Sequence, residues 1–158
     1  MRRLVTVAIT LVALSSSMLA HAQNALNGAW RATEVVVTGG EGAGTYTDVD
    51  SLIIFSEEHY SVFSNVGERP EVPEGTGRLS DELALASFRT FRANAGRYNV
   101  SGGRLTRHFM LARNPRAVGV SVESEYERRG DTLIITTTNE QGVTTRTTYI
   151  RAERLAGP

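Results

Sequence analysis

The stretch "LTRHFMLARNPRAVG" (residues 105–119) sets Arg107 and His108 side by side inside an otherwise apolar run. Successive residues of a strand point to opposite faces, so only one of the two can enter an interior. A guanidinium there would grip an anion, and an imidazole would offer acid–base chemistry. His59 is the other histidine beyond the N-terminal region. It stands next to Glu57 and Glu58, has no third ligand in view, and reads as a solvated position, not a metal site. The chain contains no cysteine and no lysine, which removes thiol nucleophiles and Schiff-base chemistry. "GGEGAG" lacks the spacing, the following helix and the lysine of a nucleotide loop, and reads as a flexible connection. No catalytic residue, metal ligand or cofactor is expected.

The elements that must position Arg107 and His108 are mostly strands. Alternating or β-branched segments are expected near Ala29–Val37, Ser51–Ser56, Tyr60–Ser64, Gly96–Ser101, Arg104–Ala112, Val118–Arg128, Asp131–Thr138 and Thr144–Arg151. One helix interrupts them in "SDELALASFRTFRAN", with Ser80 as N-cap and Asp81 and Glu82 in the first turn. Its Leu85/Phe88/Phe91 side is expected to lie against a sheet. "RNPR", "RRGD" and "NEQG" supply hairpin turns, and the stretches 38–48 and 65–77 are too rich in glycine or proline for regular structure. Eight strands in sequence with one short helix after the third suit an all-β, up-and-down antiparallel barrel, whose closure removes exposed edges.

The first residues, "MRRLVTVAITLVALSSSMLAHAQ", combine Arg2 and Arg3, an apolar run from Leu4 to Leu14, and small Ala20 and Ala22. This is the pattern of a secretory signal peptide over residues 1–22, too short to serve as a membrane span. One domain, 23–158, is expected to follow, periplasmic or secreted. It carries 15 basic residues (17 less Arg2 and Arg3) against 17 acidic ones, a net charge of −2. No basic stripe stands out, so neither nucleic acid nor an anionic membrane surface is an expected partner.

Several stretches resemble the bacterial lipocalin-like, calycin-type barrels. "LNGAWRATEV" (residues 26–35) is similar to their opening, with Gly28 and Trp30 as the G-x-W element. "FRANAGRYNVSGGRLTRHFMLARNPRAVG" (91–119) resembles their G-x-Y strand, the histidine-bearing strand and the N-P turn. "GDTLIITT" and "TYIRAE" look like the last two strands, with Arg151 as the closing arginine. The resemblance implies a barrel with a small-molecule pocket, and an arginine lying over Trp30. The chain departs from the family in carrying Arg107-His108 where a His-His pair is frequent.

Strand parity addresses the opening question from the residues themselves. In 118–127 the even positions are Val118, Val120, Val122, Ser124 and Tyr126, and three of the five odd positions are glutamates, so the even face is expected inside. A four-residue "RNPR" loop opposes Leu111 to Val118, Phe109 to Val120 and Arg107 to Val122. Leu105, Arg107, Phe109 and Leu111 then face inward, and His108 faces outward beside Ser121. Across "RRGD" the reading pairs Tyr126 with Leu133 and Ser124 with Ile135. Across "NEQG" it puts Arg146, Thr148 and Ile150 inside, or, if a bulge intervenes, Tyr149 and Arg151.

Two readings of Arg107 stay open: a cation paired with a protein carboxylate or with water, or an anchor for the anionic group of a ligand. In the second, Arg107, Phe109, Val120, Val122, Tyr126, Leu133 and Arg146 are the candidate ligand-binding residues. The function expected first is a non-catalytic binding barrel, monomeric or weakly dimeric, for a small hydrophobic or amphipathic molecule, an anionic, lipid-like one included. An isomerase, cyclase or hydratase of the same fold, using His108 or a lumen carboxylate, is the alternative, and a structural envelope component is a third.

Overall fold

The computed structural model describes residues 25–152 except Thr76. The leader-like residues 1–22 and Arg154 lie outside this range. The elements are β1 (Gly28–Thr38), β2 (Gly44–Tyr46), β3 (Ser51–Ser56), β4 (His59–Asn65), α1 (Asp81–Thr90), β5 (Phe91–Ser101), β6 (Arg104–Ala112), β7 (Ser121–Arg129), β8 (Thr132–Thr138) and β9 (Thr144–Arg151). All neighbouring strands are antiparallel, and β9 returns to pair with β1. Eight strands thus form the closed up-and-down barrel expected from the sequence. The additional strand, β2, corrects the expectation of irregular structure throughout 38–48. β1 outruns its β3 partner, and the free edge at Val35–Val37 is taken by Gly44–Tyr46.

The core lies toward one end of the barrel. Trp30, Ile53, Leu105 and Leu133 are fully buried, with Leu26 beneath and Phe55, Tyr98 and Val100 beside them. Burying each large aliphatic or aromatic side chain of this kind contributes about 1.5–3 kcal/mol. The Trp30 indole donates to the Leu26 carbonyl at 2.7 Å, satisfying its only polar group. The Arg151 guanidinium lies 4.4 Å from the Trp30 ring centre, as the resemblance implies. It is fixed by the Asn27 carbonyl at 3.1 Å and by Asp131 at 3.3 Å. Arg128 reaches the same ring at 5.8 Å and donates to the Ala25 carbonyl. The end carrying Trp30 is therefore closed.

The opposite end holds α1. Ser80 caps it as expected, its hydroxyl accepting from the Leu83 amide. Its apolar side does not pack on the sheet, however. No residue of α1 is buried, and Leu85 and Phe88 are about half exposed. The helix is cut short because β4 extends to Asn65, which pairs with Phe91, so Phe91 is drawn into β5. The backbone hydrogen bonds of the sheet override the helical pattern of "RTFRAN".

Candidate functional site

β6 and β7 pair as parity requires: Arg107 opposes Val122, His108 opposes Ser121, Thr106 opposes Glu123 and Arg104 opposes Glu125. Arg107 thus points into the barrel and His108 out of it. The His108 Nδ1 lies 3.1 Å from the Ser121 hydroxyl on the outer face, where Arg104 pairs with Glu123. The inward set stops sooner than expected. Gly96 opposes Phe109 and Ala95 opposes Leu111, so Met110 is an extra residue, a β-bulge that reverses parity beyond it. Leu111 is consequently 70% exposed, not interior. The bulge depends on Gly96, where a Cβ would lie 1.8 Å from the His108 carbonyl oxygen.

Two further registers differ from expectation. The turn between β7 and β8 is the two-residue Gly130-Asp131, a tighter hairpin than "RRGD" suggests. It sets Tyr126 opposite Ile135, leaving the faces unchanged but shifting the pairs by two residues. Between β8 and β9 the loop has five residues, since Thr138 pairs with Thr144. The Asn139 side chain accepts from the amides of Gln141 and Val143 and draws Val143 into the turn. That odd residue reverses β9, so Thr147, Tyr149 and Arg151 face inward. Arg146 is exposed on the outer face, which corrects its expected inward placement, and Ile150 is 46% exposed.

Of the candidate residues, Arg107, Phe109 and Val122 meet inside the barrel. Tyr126 packs against the core, and Leu133 is sealed within it. Val120 sits at the β6–β7 end of the mouth, 44% exposed, where its carbonyl accepts from the Phe109 amide. The other residues around Arg107 are hydroxyl-bearing, and of these parity alone places Ser124. Tyr60 lies under the guanidinium at 5.8 Å and donates to the Asn94 side-chain oxygen at 2.8 Å. Ser124 stands 3.4 Å from Arg107 Nη2 and 2.7 Å from the Thr137 hydroxyl. Tyr149 is buried on β9, where Thr147 and Ser51 act on its hydroxyl. Tyr60 is visible in "HYSVF" as an alternating strand residue, and Tyr149 in the bulged reading of the last hairpin.

Arg107 points into the barrel and is partly buried, beside Tyr60 and Ser124. Among the described residues it makes no salt bridge, its Nε is buried without a hydrogen-bond partner, and no inward-facing strand position carries a carboxylate. Burial holds its pKa below the usual guanidinium value, opposed by the Tyr149 and Tyr60 phenols. Burial raises Tyr60 to about 12, with Arg107 acting in the other direction, and also raises Tyr149. The Tyr60 hydrogen is committed to Asn94, so the donor toward an oxyanion is the Arg107 guanidinium itself, with its Nε unused. Toward the mouth, Phe109 lies 6.3 Å from Tyr60 between ring centres, and forms part of a cavity of about 200 Å³ with Asn94, Ala112, Arg92 and Arg113. Arg113 is held there by the Phe88 carbonyl at 2.7 Å.

The strand order and the closure of β9 on β1 define a closed eight-stranded, up-and-down antiparallel β-barrel, with an arginine-capped tryptophan at its closed end. Among solved structures the chain is similar to a lipocalin-like protein from Bacteroides uniformis ATCC 8492, with 12% identity, 80% of this chain and 98% of that one covered, and a TM-score of 0.46. It is also similar to a redesigned beta barrel, with 15% identity, 83% and 95% coverage, and a TM-score of 0.44. An uncharacterized protein from Bacteroides eggerthii DSM 20697 aligns at 8% identity over 80% and 99% of the two chains, with a TM-score of 0.44. No protein-family model and no curated protein matches the sequence.

Proposed function

We propose that this chain is an exported binding protein that holds a small amphipathic organic anion in its barrel and does not transform it. The observation that carries this reading is Arg107, a cation inside a barrel with no acidic partner among the described residues and with one donor unused. An unpaired buried charge costs several kcal/mol, and a bound anion would offset that cost. Phe109, Val122 and Tyr60 supply apolar surface close to the cation. The catalytic alternative lacks support on the same grounds: His108 lies on the outer face, and no lumen carboxylate is present among the described inward positions.

Export rests on the leader-like pattern of residues 1–22, with cleavage before Gln23 and a periplasmic or secreted domain as its consequence. No helix among the described residues is long and apolar enough to cross a membrane. A monomer or weak homodimer accompanies this reading. Denaturing extraction of the protein purified from its own cells, followed by mass spectrometry, tests it. The expected result is a chain beginning at Gln23 and an organic acid released from it, absent from an Arg107→Met preparation. Retention of residues 1–22, or recovery of the same molecule from both preparations, would overturn the corresponding part of the reading.

A further inference from the structure

A further arginine takes an inward strand position, nearer the mouth than Arg107. On β5, Gly96 opposes Tyr60, Asn94 opposes Val62 and Arg92 opposes Ser64. Opposed residues share a face, so Asn94 and Arg92 are the next inward positions from Tyr60 toward the mouth. On β6, Phe109 and Ala112 oppose Gly96 and Asn94 on that same face. Arg113 follows Ala112, and its guanidinium is fixed by the Phe88 carbonyl at 2.7 Å and lies 4.7 Å from the Phe88 ring centre. Arg92, Asn94, Phe109 and Arg113 border one cavity of about 200 Å³.

The polar groups of this cavity are mostly donors, and none of its lining residues is acidic. Arg92 makes no ion pair or hydrogen bond among the described residues. Arg113 keeps further N–H groups beyond the one given to Phe88. The Asn94 oxygen accepts from the Tyr60 hydroxyl, which leaves the amide hydrogens of that side chain for another acceptor. Two guanidiniums and an amide are the donor set of an oxyanion site, and an anion between the two cations would offset their mutual repulsion. Tyr60 connects this cavity to Arg107: its hydroxyl lies 2.8 Å from Asn94 Oδ1, and its ring centre 5.8 Å from Arg107 Cζ. One tyrosine side chain thus spans from Arg107 to Asn94, and Phe109 gives that interval apolar surface.

We propose that this cavity is a second oxyanion site, and that the ligand of the barrel is acidic at both ends, one group on Arg107 and the other on Arg92 and Arg113. The two-ended ligand rests on the reading of Arg107 as an anion anchor; the mouth site does not. Calorimetric titration of the full chain with adipate, suberate and sebacate, against hexanoate, octanoate and decanoate, tests it. Inorganic phosphate serves as the free-anion probe. The best diacid is expected to bind about tenfold more tightly than the monoacid of its length, a difference of about 1.4 kcal/mol. Arg92→Gln should abolish that preference and leave monoacid binding unchanged. Arg92 is exposed and strands no described partner, so the fold should tolerate the exchange. A preference that survives Arg92→Gln overturns the mouth site. Equal binding of diacids and monoacids, with phosphate bound by the wild type and lost in Arg92→Gln, overturns the two-ended ligand and leaves the mouth site to a free anion. Equal binding of the two series without any phosphate binding overturns the whole inference, while the anchor is judged separately by whether Arg107→Met weakens the monoacids. Binding of no acid by the wild type overturns the two-ended ligand and the anchor together.

Discussion

Arg107 stands directly opposite Val122 inside the barrel, while the next residue, His108, stands opposite Ser121 outside it. One step of strand parity thus separates a lumen cation from a surface imidazole. The distinction has energetic weight, because a one-residue slip would set Leu105 opposite a glutamate, so that either Leu105 is exposed or Glu123 and Glu125 are buried.

The first prediction concerns stability. Arg107 has no carboxylate partner among the described residues, so Arg107→Met exchanges a desolvated cation for an apolar stem of similar length. Such exchanges are neutral or stabilising when no counter-charge is stranded. Thermal denaturation of the variant, without added ligand, should show an unchanged or raised midpoint. A loss of more than about 2 kcal/mol would mean that a protein group depends on this charge.

At the closed end, Trp30→Ala removes a fully buried ring together with its contact to Arg151 at 4.4 Å. The expected cost is about 3–5 kcal/mol, measured by denaturant unfolding. Native emission should be that of a water-excluded indole. An exposed-indole maximum in the folded protein would contradict this placement.

Gly96→Ala probes the bulge that ends the inward face of β6. Its added carbon would collide with the His108 carbonyl oxygen, a backbone atom that no side-chain rotation can move aside. A destabilisation of about 1–3 kcal/mol or more is expected, the range for steric overfilling. A neutral substitution would show that β5 and β6 pair in another register.

Burial raises the phenols of both Tyr60 and Tyr98 to about 12. A raised folded-state value means that the native state keeps protons which the unfolded state, near the ordinary value of about 10, has already released. Their contribution to stability is complete below pH of about 10 and is lost as pH rises toward 12. Unfolding midpoints should therefore fall across that window, with phenolate absorbance from these two residues lagging behind that of the denatured chain. Constant stability through the window would contradict their burial as neutral groups.

Much of this is legible in the sequence, and for identifiable reasons. The glutamates of β7 leave only one face that can be buried, and that alone sends Arg107 inward and His108 outward. Trp30 and Arg151 are legible through the family resemblance, and the contact is present. The departures in which face a residue takes share one origin: single residues that interrupt parity. The Met110 bulge exposes Leu111, and Val143 in the last turn sends Arg146 outward and Tyr149 inward. Periodicity carries no sign of such insertions, since they arise from side-chain capping by Asn139 and from a cross-strand approach at Gly96. Of the hydroxyl-bearing neighbours of Arg107, Ser124 lies on the adjacent β7 and on the inward face that parity gives, whereas Tyr60 and Tyr149 come from strands distant in sequence and are assembled only by the closed barrel.

The most direct test of the central claim is calorimetric titration of the wild-type protein, Arg107→Met and His108→Ala with one panel of organic acids. The account predicts that Arg107→Met weakens binding by about 1.5–3 kcal/mol, the scale of a lost charged hydrogen-bond partner. His108→Ala should change it by less than about 0.5 kcal/mol, as for an exposed position away from the site. Loss of binding in His108→Ala with full binding retained in Arg107→Met would contradict the account.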